Sequence, residues 1–148
     1  MTSTISTSRR PGVVAVHSVD RFVFTVPDLA EAQRFYIAFG LDVRQHGKRL
    51  DLYTFGHPHC WASVHEAGER KQLQYISYGV FAEDLPVFEA RIKAKGLAIA
   101  PHPLATGLER GESLWLRNPD GIAVQLVVAP KVSPSSKTRP SPVPTVHA

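Results

Sequence analysis

Apolar and polar side chains alternate along residues 19–26, as expected of a strand with one buried face. One face carries Phe22, Phe24 and Val26, and the opposite face begins with Arg21. A strand is therefore predicted over this segment.

The next segment has the signals of a capped helix. Asp28 is a suitable N-cap, Glu31 follows three residues later as in a capping box, and Gly40 is a typical C-terminal stop. The apolar stripe between them consists of Leu29, Ala32, Phe35, Tyr36 and Phe39. This spacing predicts a helix between Asp28 and Gly40.

The same signals then occur a second time. Short strands are predicted at residues 42–45, 50–55, 61–65, 73–80, 114–116 and 122–128. A second helix is predicted from Asp84 to Gly96, and the turn at 118–121 separates the last two strands. Both cap-to-stop spacings are 12 residues, so the pattern predicts two similar half-units, neither of them stable alone.

The two ends of the chain differ from the middle in composition. Residues 1–12 are rich in Ser and Thr, and residues 131–148 contain four prolines and four serines without an apolar pattern. We therefore predict a disordered N-terminal tail at 1–12, a single folded module at 13–130, and a linker or disordered tail at 131–148. A Pro/Ser linker of this kind predicts that a second module follows Ala148.

Charge argues against a nucleic-acid-binding function, although the sequence pI is about 9.5. Five of the 17 Lys and Arg side chains lie in the tails, which leaves 12 basic against 13 acidic side chains in residues 13–130. The five basic residues of the tails are Arg9, Arg10, Lys131, Lys137 and Arg139. The sequence lacks a membrane span or secretory signal, and Cys60 is its single cysteine, so a cytoplasmic location is predicted.

Two motifs carry a resemblance to a known superfamily. SVDRFVFTVPDLAEAQRFYIAFGLDV resembles the opening strand and helix of vicinal oxygen chelate proteins, which include glyoxalases, bleomycin resistance proteins and extradiol dioxygenases. LRNPDGIAVQLV resembles their closing hairpin and last strand. The resemblance covers residues 16–129 and implies an α+β fold, in which two paired βαβββ units form a curved mixed sheet with the helices on its convex face.

Metal-dependent members of that superfamily place His, His and Glu in the concave cup of the sheet. By the resemblance, the first position falls on Arg21, the second on Tyr75 or Ser77, and the last on Gln125. Arg21 is permanently cationic and Gln125 is a neutral amide. The sequence therefore predicts no metal in this module and assigns it no catalytic residue.

The hypothesis that follows is that this chain is the structural half of a ring-cleaving extradiol dioxygenase. In this respect it resembles the non-catalytic N-terminal module of the two-module enzymes. Fe(II) would then be bound by a second, catalytic module. The alternative is a stand-alone, dimeric and non-catalytic small-molecule binding protein of the bleomycin-resistance type. Whether the chain acts within an enzyme stays open at this point, and the expected partner is a second copy or a second module.

The cup-facing residues have two interpretations. Arg21, Tyr75 and Gln125 could bind a small acidic or aromatic ligand, with His65 and Trp61 as further candidates, or they could fill the cup and satisfy one another. A weaker metal alternative uses His57, His59 and His65. A His-rich turn between strands is the simpler explanation of these three.

Overall fold

The computed structural model describes residues 9–105, 108 and 111–131. Within these residues, seven strands form one mixed sheet and two further segments form α-helices, which confirms the α+β class. In chain order they are β1 (Val16–Val26), α1 (Leu29–Phe39), β2 (Asp42–His46), β3 (Arg49–Tyr53), β4 (Ala62–Glu66), β5 (Gln72–Val80), α2 (Leu85–Ala94), β6 (Ser113–Arg117) and β7 (Ala123–Val128). Neither α1 nor α2 is long and apolar enough to cross a membrane, and this holds for the whole described part.

The described residues divide into two compact units. The first, here called the N-terminal unit, is Phe22–Leu73. The second, the C-terminal unit, consists of the described residues up to Arg21 and from Gln74 onward. β1 therefore contributes its first half to the C-terminal unit and its second half to the N-terminal unit.

The N-terminal unit has the strand order β2-β3-β4-β1. β4 is antiparallel to β3 and parallel to β1, where Phe22 lies opposite Ala62. Its core joins α1 to one face of these strands through Val26, Leu29, Ala32, Leu50, Leu52, Ala62 and Val64. Burial of this apolar surface is the main stabilising contribution in the unit.

Local signals set the ends of α1 where the sequence predicts them. The Asp28 side chain accepts a hydrogen bond from the Glu31 backbone N–H at 3.1 Å. Gly40 ends the helix with a φ of 104°, a left-handed conformation that suits glycine. Glu31 uses its carboxylate in an ion pair with Lys71, whose Nζ lies 3.0 Å away.

The C-terminal unit has the order β1-β5-β7-β6. β5 and β7 are parallel and β6 is antiparallel to β7. The predicted turn between β6 and β7 is present, because the Asn118 side chain accepts from the Ile122 N–H at 2.9 Å. The core joins α2 to one face of the strands through Val80, Leu85, Ile92, Val124 and Leu126.

The second half of the chain departs from the predicted repeat after α2. Where the repeat predicts a further strand, the described residues form one isolated bridge, between Ala98 and Leu116. Pro101 and Pro103 follow closely, and proline has no backbone N–H to donate to a strand ladder. The pairing therefore stops after a single bridge.

Asp84 lies at the N-cap position of α2 but does not cap it. Its side chain makes no capping hydrogen bond and is fully buried, and its Oδ1 accepts from Arg9 Nε at 2.5 Å. The two helices have the same cap-to-stop spacing, but their aspartates have different roles. Asp28 is an exposed cap, and Asp84 forms a buried ion pair.

Candidate ligand-binding face

One face of the C-terminal sheet is apolar and packs on α2, and the opposite face carries polar side chains. Ser77 on β5 lies directly opposite Gln125 on β7, and Gln125 lies directly opposite Trp115 on β6. These three residues therefore form one row across three neighbouring strands. We call them the donor row.

The donor row is buried and its polar atoms lack partners. Ser77 is 1% exposed, and Gln125 and Trp115 are each 5% exposed. Within the described residues, Ser77 Oγ, Gln125 Nε2 and Trp115 Nε1 have no hydrogen-bond partner. Arg21, 7% exposed on the adjacent strand β1, has an unpartnered Nε. Such groups are exceptions in folded proteins, and each needs a physical explanation.

Aromatic rings lie beside the donor row. The Tyr75 ring meets the Trp115 ring edge to face at 4.8 Å and lies 5.2 Å from the His102 ring. His102 is held by Gln74, whose Oε1 is 3.2 Å from His102 Nε2, and its Nδ1 accepts from the Leu104 N–H at 3.1 Å. Burial lowers the pKa of His102 below its ordinary value.

The polar side chains around Asp51, in the N-terminal unit, differ from the donor row because they satisfy one another. Arg49 donates to both carboxylate oxygens of Asp51, at 3.0 and 3.2 Å, and Ser63 Oγ donates to Asp51 Oδ1 at 2.8 Å. Asp51 is 6% exposed and Ser63 is fully buried. This network was not predicted from the sequence. Its signal was an aspartate between two apolar residues of a strand, Leu50 and Leu52, which places Asp51 on the face away from the core.

The candidate histidines do not form one group. His57, His59 and Trp61 are neighbours, with the Trp61 ring 4.4 Å from His59 and 5.4 Å from His57. His57 Nδ1 accepts from the His59 backbone N–H at 3.1 Å, so that nitrogen is engaged. His65 lies on β4, opposite Thr25 and Arg49.

The structure places the three positions of the implied metal site on strands of the C-terminal unit: Arg21, Tyr75 or Ser77, and Gln125. A divalent cation needs lone-pair donors, but Arg21 offers only N–H groups and the unpartnered atom of Gln125 is its amide nitrogen. Elsewhere in residues 9–105, 108 and 111–131, no three His, Cys, Asp or Glu side chains are grouped as metal ligands. These residues do not fit the metal.

The fold resembles that of extradiol dioxygenases and of a glyoxalase of the vicinal oxygen chelate superfamily, and the sequence resembles part of a metapyrocatechase. Metapyrocatechase 2 of Cupriavidus necator is 42% identical over 124 residues, which are 84% of this chain and 37% of that protein. The Mn(II)-bound glyoxalase of Novosphingobium aromaticivorans superposes with a TM-score of 0.67 at 17% identity, covering 78% of this chain and 40% of the glyoxalase. A catechol 2,3-dioxygenase superposes with a TM-score of 0.65 at 23% identity, covering 84% and 43%. No family model matches the chain.

The resemblance to extradiol dioxygenases of this superfamily is therefore confirmed. The chain spans about two fifths of the length of these proteins.

Proposed function

We propose that this chain is a metal-free module of an extradiol ring-cleaving dioxygenase and serves as its structural half. The observation that carries the proposal is the chemistry at the metal positions, where Arg21 and Gln125 replace the His and Glu of metal-dependent members. The 42% identity to part of metapyrocatechase 2 supports the dioxygenase assignment.

The proposal includes the arrangement that the superfamily implies. The two units would pair as βαβββ-like halves around a curved sheet, with the helices on the convex face. This module would contain no cofactor, and Fe(II) would be held by a second module in the same polypeptide. The assembly would be cytoplasmic, and it would pair through that second module or as a homodimer.

A second function is favoured by a different observation. The unpartnered polar atoms of the donor row are what an empty binding site would show, and they support a non-catalytic small-molecule binding protein of the bleomycin-resistance type. The two functions differ in the partner that the chain requires. The dioxygenase half requires a second, catalytic module, whereas the binding protein requires only a second copy of this chain.

Metal content and ring cleavage test the proposed function. The purified chain, incubated anaerobically with Fe(II) and desalted, is expected to retain far less than one metal per chain by elemental analysis, and to leave catechol uncleaved. Arg21→Ala should not change the metal content, because Arg21 is not a ligand.

Stoichiometric iron, zinc or manganese in the wild-type chain would contradict the proposal. The neighbouring side chains of His57 and His59 would then be tested as ligands by His59→Ala, with His17→Ala as the control, because His17 lies in the other unit. Metal loss on Arg21→Ala would likewise show that the ligand assignment is wrong.

A further inference from the structure

The buried polar groups around Asp51 and those of the donor row differ in their hydrogen bonding. In the N-terminal unit, Asp51 is saturated by Arg49 and Ser63. In the C-terminal unit, each member of the donor row, together with Arg21, retains a buried polar atom without a partner in the described residues. Buried donors without partners are exceptions that need an explanation, and a bound ligand would supply it.

The chemistry of the unpartnered atoms defines the ligand. The Nε of Arg21, the amide Nε2 of Gln125 and the indole Nε1 of Trp115 can only donate hydrogen bonds, and Ser77 Oγ can donate as well as accept. Four groups that can all donate, three of them unable to accept, are complementary to an oxygen-rich acceptor. The positive charge of Arg21 makes an anion the favoured form of that acceptor.

Geometry limits the size of the ligand. Neighbouring strands are roughly 4.8 Å apart, so adjacent members of the donor row can bond the two oxygens of one small group. The four atoms have almost no solvent contact. Even a small ligand therefore reaches them only when neighbouring side chains move, and a bulky ligand would require a larger rearrangement. The nearest acidic side chain in sequence, Asp20, alternates with Arg21 along β1 and so projects to the opposite side of that strand.

We propose that the donor row and Arg21 bind a small carboxylate anion at the positions where metal-dependent relatives hold a cation. Arg21 supplies the charge, Ser77 and Gln125 donate to the carboxylate oxygens, and the Trp115 N–H closes the far end of the row. Tyr75, packed against Trp115, holds the indole in position.

Acetate is the probe. Isothermal calorimetry and thermal unfolding are measured with sodium acetate, and with sodium chloride at matched ionic strength. Acetate is expected to bind one per chain and to raise the Tm in a saturable manner, whereas chloride is expected to do neither. Benzoate, which has the same carboxylate on a larger body, is expected to bind at least tenfold more weakly.

Variants test the named atoms. Gln125→Glu replaces an amide donor by a carboxylate, and is expected to lower acetate affinity more than tenfold by charge repulsion. The matched control, Gln45→Glu, makes the same change at an exposed position of β2 and should leave binding unchanged. Arg21→Ala should also weaken acetate more than tenfold, without change in metal content.

Two milder variants keep the test decisive if Gln125→Glu fails to fold. Ser77→Ala removes the hydroxyl, and Trp115→Phe keeps an aromatic ring but removes the N–H. Each should weaken acetate several-fold. Equal responses of the wild-type chain to acetate and chloride would overturn the proposal, and so would acetate affinities in these variants equal to that of the wild type.

Discussion

At the scale of single residues, His102 is held in its neutral form by its hydrogen bonds. The Leu104 N–H donates to Nδ1, so the ring proton is on Nε2, which donates to Gln74 Oε1. Burial lowers the pKa of His102 from its ordinary value of 6.5. Protonation would place a second ring N–H on Nδ1, where it would face the Leu104 N–H. Low pH therefore removes the Leu104 hydrogen bond, in addition to charging a part-buried ring.

A pH dependence of stability follows. Because the folded pKa of His102 is below the unfolded one, its contribution is complete above 6.5 and is lost as the pH falls through and below that value. At neutral pH, His102→Ala should cost about 1 kcal/mol in the free energy of unfolding, mainly from lost hydrogen bonds. The cost should shrink on acidification, as measured by thermal unfolding of both proteins across the range from about pH 7.5 to about pH 5. Parallel Tm curves for the two proteins would show that His102 does not titrate with folding.

At the scale of elements, the start of α2 depends on a contact distant in sequence. Asp84 is fully buried and Arg9 is its ion-pair partner, 75 residues away, with 28% of the Arg9 side chain exposed. Removing one partner of a buried pair leaves an uncompensated charge, which is more costly than losing an exposed helix cap such as Asp28.

Arg9→Ala is therefore expected to destabilise the chain by about 2 to 3 kcal/mol, below the usual cost of breaking a buried pair because Arg9 is part-exposed. The matched control is Arg10→Ala, which removes an equal charge from an exposed neighbour and should change stability by less than about 0.5 kcal/mol. Urea-induced unfolding measures both. Equal destabilisation by the two substitutions would mean that the Arg9–Asp84 pair contributes little.

At the scale of the whole molecule, α1 presents apolar side chains to solvent. Phe35, Ile37 and Phe39 are 59%, 57% and 70% exposed, and the rings of Phe35 and Phe39 stack at 5.9 Å. Phe35 and Phe39 lie about one turn apart on the same side of the helix, so their stacked rings form a continuous exposed apolar group, which favours association with another protein surface. In a solution of the purified chain, the protein surface available for this association is that of a second copy.

We expect the chain to self-associate in sedimentation velocity experiments. Phe39→Lys should shift it toward the monomer, lowering the association constant at least tenfold, because it places a charge in the contact. Val87→Lys, a similar change at an exposed position of α2, is the control and should have little effect. A monomeric wild-type chain would exclude self-association through α1.

The sequence predicted those features that depend on local signals. Asp28 and Gly40 bound α1 as predicted, and the Asn118 turn joins β6 to β7, because caps and turns involve residues a few positions apart. The missing strand after α2 was also within reach of the sequence, since Pro101 and Pro103 stand in the segment concerned.

The tertiary structure decided whether the buried polar groups of each sheet face have hydrogen-bond partners. Arg49 and Asp51 are two positions apart, but Ser63 completes their network from another strand, and Ser77 meets Gln125 across 48 residues. The sequence by itself determined the helices, the strands and the residue types at the metal positions, because periodicity and side-chain chemistry are local. Only tertiary structure decided which buried polar groups are satisfied and which are not, because hydrogen-bond partners in a sheet come from strands that are distant along the chain.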